Sequence, residues 1–178
     1  GAFNYNGQAL HYPDVRVVYW AGGNPYHQHQ DLNRLRKAWA KPQTIIINEP
    51  FWNATARHAD IVFPITTSME RNDVSFNTFD HYVTPMPQAI PHYANSRNDF
   101  DVFCGLSERL GIKDQFAEGR SEMQWVRELF ERSKETAAKH GVEIPEFESF
   151  WSGGHFSVEP PLDDQELILE AFRRDPEK

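Results

Sequence analysis

Residues able to bind a nucleotide-type ligand follow three short apolar runs of this sequence. In chain order these residues are Gly22, Gly23 and Asn24 after the first run, Asn48 and Glu49 at the end of the second, and Arg71 after the third. Glycines let a ligand approach the backbone closely and leave N–H donors exposed to it. A carboxylate can accept paired hydrogen bonds from a ribose diol or a guanine base, and a guanidinium can pair with phosphate or stack on a base. The pattern therefore predicts a nucleotide-type ligand.

Each of these signals has an ordinary alternative. Gly-Gly-Asn-Pro at residues 22–25 is also common turn chemistry, and it lacks the G-x-G-x-x-G spacing of the usual nicotinamide or flavin fingerprint. Glu49 could be a solvated loop acid, and Asp99, a further candidate, could simply cap a helix. Several strand ends that converge are more specific than any single residue, because the carboxyl ends of parallel strands share one edge of a sheet.

The histidine and cysteine pattern does not predict a metal site. The histidines considered are His27, His29, His58, His81 and His92. No H-E-x-x-H helix or Cys-His pairing accompanies them, so we expect them to donate hydrogen bonds to an anionic ligand or to pack under the loop. The single cysteine, Cys104, cannot by itself form a disulfide framework or a multi-cysteine iron–sulfur site.

Three strands are expected to position the candidate residues. The β-branched and aromatic run at residues 15–20 predicts a strand buried on both faces, and residues 44–47 predict a second buried strand. Residues 61–65 predict a third strand, which Pro64 ends or places at an edge because proline cannot donate to a ladder. Polar residues would thus be delivered to the carboxyl ends of neighbouring parallel strands.

Helices are predicted between and after these strands. Apolar residues at helical spacing over residues 32–39 predict a crossover helix, and Asn53 is expected to cap a short helix at residues 54–58. A longer helix is predicted to open at Asn98 or Asp99 and to stop at Gly111. Another is predicted to run to about Lys139 behind a capping box, formed by Ser121 and Gln124.

The predicted fold class is therefore α/β, with a doubly wound, mostly parallel sheet and flanking helices. Residues 72–98 predict a long loop that carries one short strand near residues 82–86. We expect residues 1–140 to form a dinucleotide-type cofactor-binding domain and residues 141–178 to form a helical or loop extension of the same domain.

Composition excludes some classes of function. The 178 residues are 39% hydrophobic and carry a formal net charge of −8. Because binding to a phosphate backbone depends on Lys and Arg, we expect no nucleic-acid partner. No apolar stretch reaches the length of a membrane span, so the chain is expected to be soluble and not membrane-embedded.

Several continuous runs resemble the dimethyl sulfoxide reductase family of molybdenum enzymes, most closely its biotin sulfoxide reductase branch. The runs are YWAGGNP, HQDLNRL, NEPFWNATARHADIVFP, TTSMERND, RNDFDVF and LSERLG. The resemblance implies a fragment of a bacterial sulfoxide or N-oxide reductase that acts by oxygen-atom transfer. Complete members carry molybdenum coordinated by two molybdopterin guanine dinucleotides, and this chain resembles only the domain that embraces one of them. The isolated chain is therefore expected to be inactive.

The resemblance also implies roles for individual residues. Cofactor contacts would fall on Gly22, Gly23, Asn24, His29 and Gln30, with Asn48 and Glu49 at the nucleotide end, and Arg71 and Asp99 completing the pocket. Many relatives have Asp where this chain has Glu49, so the longer side chain shifts that carboxylate. The metal-ligating serine lies outside this sequence, and no residue here is expected to be catalytic.

The implied partners are the remaining domains of the parent enzyme, a sulfoxide or N-oxide substrate and an electron donor, in either the cytoplasm or the periplasm. Two alternatives remain. The chain could be a stand-alone nucleotide-binding or cofactor-binding module without catalysis, or a domain of a formate-type or nitrate-type molybdenum oxidoreductase, which shares the domain but not the chemistry.

Overall fold

A computed structural model describes residues 2–76 and 81–158 of the chain. The chain divides into two compact units, of which the first contains Gly1–Thr67 and His92–Lys113 and the second contains Ser68–Pro91 and Asp114–Lys178. Each unit is thus built from two separate stretches of sequence. The chain leaves the first unit after Thr67 and returns to it at His92.

The first unit opens with a β-hairpin, in which β1 (Ala2–Tyr5) pairs antiparallel with β2 (Gln8–His11). The two turn residues, Asn6 and Gly7, have φ of 49° and 79°. Positive φ at both positions is typical of a type I′ turn, for which Asn-Gly is a preferred sequence. The predicted elements do not include this hairpin, although the Asn-Gly pair is a signal that could have revealed it.

A three-stranded parallel sheet forms the centre of the first unit. Its strands are β3 (Val17–Ala21), β4 (Thr44–Glu49) and β5 (Ile61–Pro64), in the order β3-β4-β5. Ala21 lies opposite Asn48, and Glu49 lies opposite Pro64. All three strands therefore end at the same edge of the sheet, as predicted.

The strands of this sheet differ in burial. In the central strand β4, Ile45 and Ile47 are buried, whereas Val17 at the start of β3 is 57% exposed. The prediction that the first strand is buried on both faces is wrong for this chain. Within the described residues β3 borders only β4, so its other edge has no strand to cover it.

Side-chain capping begins most of the helices of the first unit, although α1 has no side-chain cap hydrogen bond. They are α1 (Pro25–Gln28), α2 (Leu32–Trp39) and α3 (Asp99–Arg109), together with a short 3-10 helix at Ala56–His58. The Oδ1 atom of Asn98 accepts the Asp101 N–H at 2.8 Å, and that of Asn53 accepts the Ala56 N–H at 3.0 Å. These bonds satisfy amides that have no partner within the helix. The predicted crossover helix and the predicted helix after Asn98 are confirmed.

A backbone connection brings the start of α3 to the carboxyl edge of the sheet. Arg97 forms a parallel bridge with Ile65, just beyond the end of β5. Its N–H donates to the Pro64 carbonyl at 3.1 Å, and its carbonyl accepts the Thr66 N–H at 3.0 Å. The residues that follow Arg97 are thereby placed beside the strand ends.

The second unit combines an antiparallel sheet with helices. Strands β6 (Asp73–Ser75), β7 (Tyr82–Met86) and β8 (Phe156–Ser157) pair in the order β6-β7-β8. Its helices are α4 (Lys113–Ala117), α5 (Glu122–Lys139) and α6 (Phe147–Gly153). The buried centre contains Val83, Phe130, Phe147 and Phe150. The strand predicted near residues 82–86 and the predicted capping box of α5 are confirmed.

The α/β class with a parallel sheet is confirmed, but the doubly wound topology is not. Strand order in the parallel sheet follows chain order, so the described residues contain no point at which that order reverses. The division at residue 140 stays a prediction, and residues 159–178 of the predicted extension lie outside the described residues. Across the described ranges, no helix combines the length and apolarity that crossing a bilayer requires.

Candidate functional site

The loop after β3 carries the glycine pair of the candidate site. Gly22 and Gly23 have φ of 86° and 76°, in the left-handed region that side chains rarely adopt. A Cβ atom on Gly22 would meet no atom within 4 Å, whereas one on Gly23 would lie 3.2 Å from the Oε1 atom of Gln28. Both glycines are exposed. At Gly22 and Gly23 the loop therefore exposes backbone atoms that no side chain covers.

A buried donor lies beneath this loop. The indole nitrogen Nε1 of Trp20 is buried and has no hydrogen-bond partner within the described residues. It lies 3.9 Å from the position that a Gly23 Cβ would occupy. Most buried polar groups in proteins are paired, so an unpaired N–H beside a glycine loop is a feature that a bound group can explain.

Asn24 is fixed by a residue that follows the next strand. Its Oδ1 atom accepts a short hydrogen bond from the hydroxyl of Thr55, and that hydroxyl oxygen accepts the Tyr26 N–H at 3.3 Å. Thr55 is fully buried and Asn24 is half-buried. The loop after β3 is therefore joined to the segment between β4 and β5 through side-chain chemistry.

A second hydrogen-bond network joins the carboxyl end of β4 to the start of α3. Asn48, at 2% exposure, donates from Nδ2 to the Asp99 carboxylate at 2.7 Å and accepts the Tyr19 hydroxyl at 2.9 Å. The Tyr19 ring packs against Phe63 and Phe103, with centroids at 6.4 Å and 5.3 Å. Asp99 is half-buried. The structure therefore brings Asn48 and Asp99 together.

The environment of Tyr19 shifts its ionisation. Burial raises the pKa of the Tyr19 phenol above its ordinary value, and the negative charge of Asp99 raises that pKa further. Both effects favour the neutral phenol. The neutral Tyr19 hydroxyl accordingly donates a hydrogen bond to the Oδ1 atom of Asn48.

Glu49 lies at the carboxyl end of β4 and is half-buried. Its Oε1 atom accepts the Phe51 N–H at 3.2 Å. This local bond orients one carboxylate oxygen toward the turn. The guanine contact predicted for Glu49 stays a prediction.

His29 and Gln30 follow α1 and are both exposed. The His29 N–H donates to the Pro25 carbonyl at 3.1 Å and so closes the helix. The imidazole and the Gln30 amide lie at the surface of the first unit. Their predicted cofactor contacts stay predictions.

Arg71 belongs to the second unit, whereas the other candidate residues belong to the first. Its Nη2 and Nε atoms donate to the Asp73 Oδ2 atom at 3.0 Å and 3.2 Å. The pairing holds the guanidinium beside the start of β6. Its place in a common pocket stays a prediction.

Sequence reasoning missed Thr55 and Tyr19. Thr55 lies in the capped segment that Asn53 begins, and nothing in the local pattern indicates its bond to a residue 31 positions earlier. Tyr19 is a polar-tipped residue within an apolar strand, and such a residue usually needs a hydrogen-bond partner when it is buried. That need is a signal that could have found it.

One cavity of the first unit lies apart from the candidate residues. Its volume is about 420 Å³, and its lining includes Tyr26, Trp39, Ile45, His58 and Asp60. None of the predicted site residues lines it. In the ranges 2–76 and 81–158, no three His, Cys, Asp or Glu side chains are grouped so that they could hold a metal ion.

Comparison with known proteins decides the family. The sequence model of the Molybdopterin oxidoreductase family matches residues 4–109, which include the glycine loop, Asn48 and Asp99. The chain belongs to this family. A biotin sulfoxide reductase from Cereibacter sphaeroides is 48% identical over 177 residues, which are 99% of this chain and 24% of that protein.

Two further relatives of this molybdopterin oxidoreductase chain are N-oxide reductases by name. A dimethyl sulfoxide/trimethylamine N-oxide reductase from Cereibacter sphaeroides is 43% identical over 99% of this chain and 22% of its own length. A trimethylamine-N-oxide reductase from Haemophilus influenzae is 44% identical over 83% of this chain and 18% of its own length. The chain therefore spans about a fifth to a quarter of the length of these relatives.

A solved structure shares the fold at low sequence identity. Acetylene hydratase from Pelobacter acetylenicus matches with a TM-score of 0.60 and 15% identity, over 82% of this chain and 19% of that one. This likeness concerns the fold alone.

The residues present fit a molybdopterin group, which the family implies. Exposed glycine backbone allows close approach, and the Trp20 indole and Asn24 amide supply N–H donors. Asp99 and Glu49 supply acceptors at the same edge of the sheet. Donors and acceptors of this kind match the polar edges of a pterin or a nucleotide.

Proposed function

We propose that this chain is the part of a sulfoxide or N-oxide reductase that binds one molybdopterin guanine dinucleotide. The observation that carries the proposal is the parallel register of β3 and β4, in which Ala21 lies opposite Asn48. That register sets the Gly22–Asn24 loop beside the turn after Glu49. The names of the relatives, which are sulfoxide and N-oxide reductases, favour this branch over the formate-type and nitrate-type enzymes.

Each candidate residue has a proposed role. Gly22 and Gly23 allow the cofactor to approach the backbone, and Asn24 donates to it through its side-chain amide. Glu49 and Asp99 accept hydrogen bonds from the guanine end, and Asn48 holds Asp99 in place. The remaining proposed contacts are His29, Gln30 and Arg71.

The cofactor supplies the redox chemistry, since molybdenum exchanges an oxygen atom with the substrate in two-electron steps. This chain binds the cofactor, orients it and sets the electrostatics around it. It supplies no catalytic side chain under this proposal, and the isolated chain does not reduce sulfoxides.

The complete protein supplies what the chain lacks. Its other domains hold the metal-ligating residue, the second pterin dinucleotide, the substrate channel and the contact with an electron donor. We place further strands beside the uncovered edge of β3, and they would complete a doubly wound sheet with a reversal of strand order. The half-exposed Val17 would then be buried.

Titration of guanosine monophosphate into the chain, followed by calorimetry, tests the guanine end of the proposed site. We expect saturable binding that Asp99→Asn and Glu49→Gln each weaken by about tenfold, because hydrogen bonds to a charged acceptor contribute about 1.5–3 kcal/mol. Asp99→Asn retains a side-chain oxygen that can accept from Asn48, so it removes charge while preserving that bond.

Glu135→Gln is the matched control, because Glu135 is an exposed acid on α5 in the second unit. Binding should be unchanged in this variant. Equal affinity of the parent, Asp99→Asn and Glu49→Gln chains would contradict the assigned guanine site. If the complete protein neither carries molybdenum nor reduces a sulfoxide or N-oxide, the alternative of a non-catalytic binding module is correct.

A further inference from the structure

Thr55 is a buried residue whose hydroxyl bonds to the loop after β3. It is fully buried, and its neighbour Ala56 is 1% exposed. The Thr55 hydroxyl has bonds to Asn24 and Tyr26, which lie 31 and 29 residues away in the sequence. One oxygen atom thus determines how two strand-end segments are joined.

The chemistry of the three groups fixes the direction of each bond. The Tyr26 N–H can only donate, so the Thr55 oxygen is its acceptor. The hydroxyl proton then needs an acceptor of its own, and the side-chain oxygen Oδ1 of Asn24 supplies it. If the Asn24 amide were turned over, the buried hydroxyl proton would lose this acceptor, at a cost of a hydrogen bond.

This arrangement determines which end of the Asn24 amide is presented to a ligand. The Oδ1 atom accepts from the Thr55 hydroxyl. The backbone N–H of Asn24 donates to the Gln28 side chain at 3.3 Å. Within the described residues, the Nδ2 amino group has no protein acceptor. Asn24 is half-buried, and its Nδ2 atom is not among the fully buried side-chain atoms that lack a partner in the described part of the chain. Two N–H donors are therefore directed away from Thr55.

We propose that Thr55 is a positioning residue, which fixes the Asn24 side chain so that its amino group donates to the bound molybdopterin guanine dinucleotide. The inference rests on the proposed function, because it assigns an orientation to a residue of the same site. Thr55 itself does not touch the cofactor. Thr55 orders the Asn24 side chain before the cofactor binds, so binding does not include the entropy cost of ordering this donor.

The rate of cofactor release from the complete reductase tests this role. The released pterin is followed by its fluorescence after oxidation. Thr55→Val removes the hydroxyl at nearly constant volume, and we expect about tenfold faster release, as loss of a fixed hydrogen-bond donor costs about 1 kcal/mol or more. Thr55→Ser keeps the hydroxyl, and we expect it to restore slow release. If Thr55 only supported the fold, Thr55→Val would lower the melting temperature, but cofactor release would show neither the acceleration nor its reversal in Thr55→Ser.

A double-mutant comparison separates the positioning role from the proposed site. If Thr55 acts through Asn24, release from Asn24→Ala combined with Thr55→Val should be no faster than from Asn24→Ala alone. Full additivity of the two effects, or unchanged release from Thr55→Val, overturns the positioning role while Asn24 stays in the site. Unchanged release from Asn24→Ala would instead show that Asn24 is not part of the site. That result would overturn both the cofactor contact proposed for Asn24 and the positioning role proposed for Thr55.

Asn24→Asp decides the question if Thr55→Val does not fold. An aspartate keeps an oxygen that can accept from Thr55 but has no amino group to donate. Fast release with an unchanged melting temperature would support the donor role of the Asn24 amino group, on which the inference depends. Release as slow as in the parent would overturn it.

Discussion

The side-chain amide of Asn48 donates to the carboxylate of Asp99 at 2.7 Å, although the two residues are 51 positions apart in the sequence. Asn48 lies near the carboxyl end of β4, and Asp99 is the first residue of α3. The bond therefore connects the centre of the sheet to the helix that closes the candidate site. The backbone bridge between Ile65 and Arg97 brings α3 close enough for this contact.

Replacement of Asn48 should lower the stability of the chain. In Asn48→Ala, the Tyr19 hydroxyl and one Asp99 oxygen lose their partner in a buried setting, so we expect a loss of about 1–3 kcal/mol in the free energy of unfolding. Urea denaturation measures this loss in the free energy of unfolding. Asn95→Ala, at an exposed loop position, is the control and should change stability by less than about 0.5 kcal/mol. Equal denaturation midpoints for the two variants would contradict the importance of the Asn48 network.

The stability contributed by Tyr19 should depend on pH in the alkaline range. The fold raises the Tyr19 pKa, so the folded chain holds this proton more tightly than the unfolded chain, whose phenol has the ordinary pKa of 10.0. The corresponding stability is present in full below that pH and is lost as pH rises through the raised pKa. Hence the destabilisation caused by Tyr19→Phe should be greatest at neutral pH and should shrink above pH 10.0.

Denaturation of the parent and Tyr19→Phe chains at neutral and alkaline pH checks this expectation. Asp99→Asn is a useful comparison, since it removes the negative charge that adds to the shift but leaves burial in place. The alkaline loss of stability should therefore be smaller in that variant, and it should be complete at lower pH, because the folded-state pKa of Tyr19 lies closer to the ordinary value. A pH-independent difference between the parent and Tyr19→Phe would rule out a raised pKa for Tyr19.

The glycine loop should tolerate no side chain. Gly22→Ala and Gly23→Ala each force a side chain into positive φ, which costs about 1–2 kcal/mol. In Gly23→Ala the new methyl also crowds Gln28, whose Oε1 atom accepts the Asn24 N–H. Under the proposed function, we therefore expect both variants of the complete protein to release cofactor faster than the parent, with the greater effect for Gly23→Ala.

Gly7→Ala is the control for backbone strain alone. Gly7 has φ of 79° and open space around it, but it lies in the hairpin turn between β1 and β2. This variant should lose a similar amount of stability and retain the cofactor normally. If Gly7→Ala releases cofactor as fast as the loop variants, strain rather than the site explains their behaviour.

The capping box of α5 gives a prediction for the second unit. The Gln124 N–H donates to the Ser121 hydroxyl, and the Gln124 side chain accepts the Ser121 N–H at 2.8 Å. Ser121→Ala should destabilise the chain by about 1 kcal/mol, as read from the denaturation midpoint. Ser133→Ala lies within the same helix, where its hydroxyl donates to the Leu129 carbonyl, and it should have little effect. A reversed order of the two effects would contradict the role of the cap.

Local signals were enough to predict much of the fold. Helix α3 begins after Asn98 and stops before Gly111, and α5 runs from its capping box to Lys139, because caps and periodicity act over a few residues. The three apolar runs predicted strands whose ends lie at one edge, since parallel strands share a direction. The sequence also carries the family, through motifs that the match over residues 4–109 confirms.

Tertiary structure alone decided how the site residues are held. Thr55 with Asn24 and Asn48 with Asp99 are pairs 31 and 51 residues apart, and no local pattern sets such a contact. Those bonds depend on strand register and on the path of the chain between elements. Burial follows the same rule: an apolar run predicts a strand, but whether that strand is covered depends on which neighbours lie beside it, as the exposed Val17 of β3 shows.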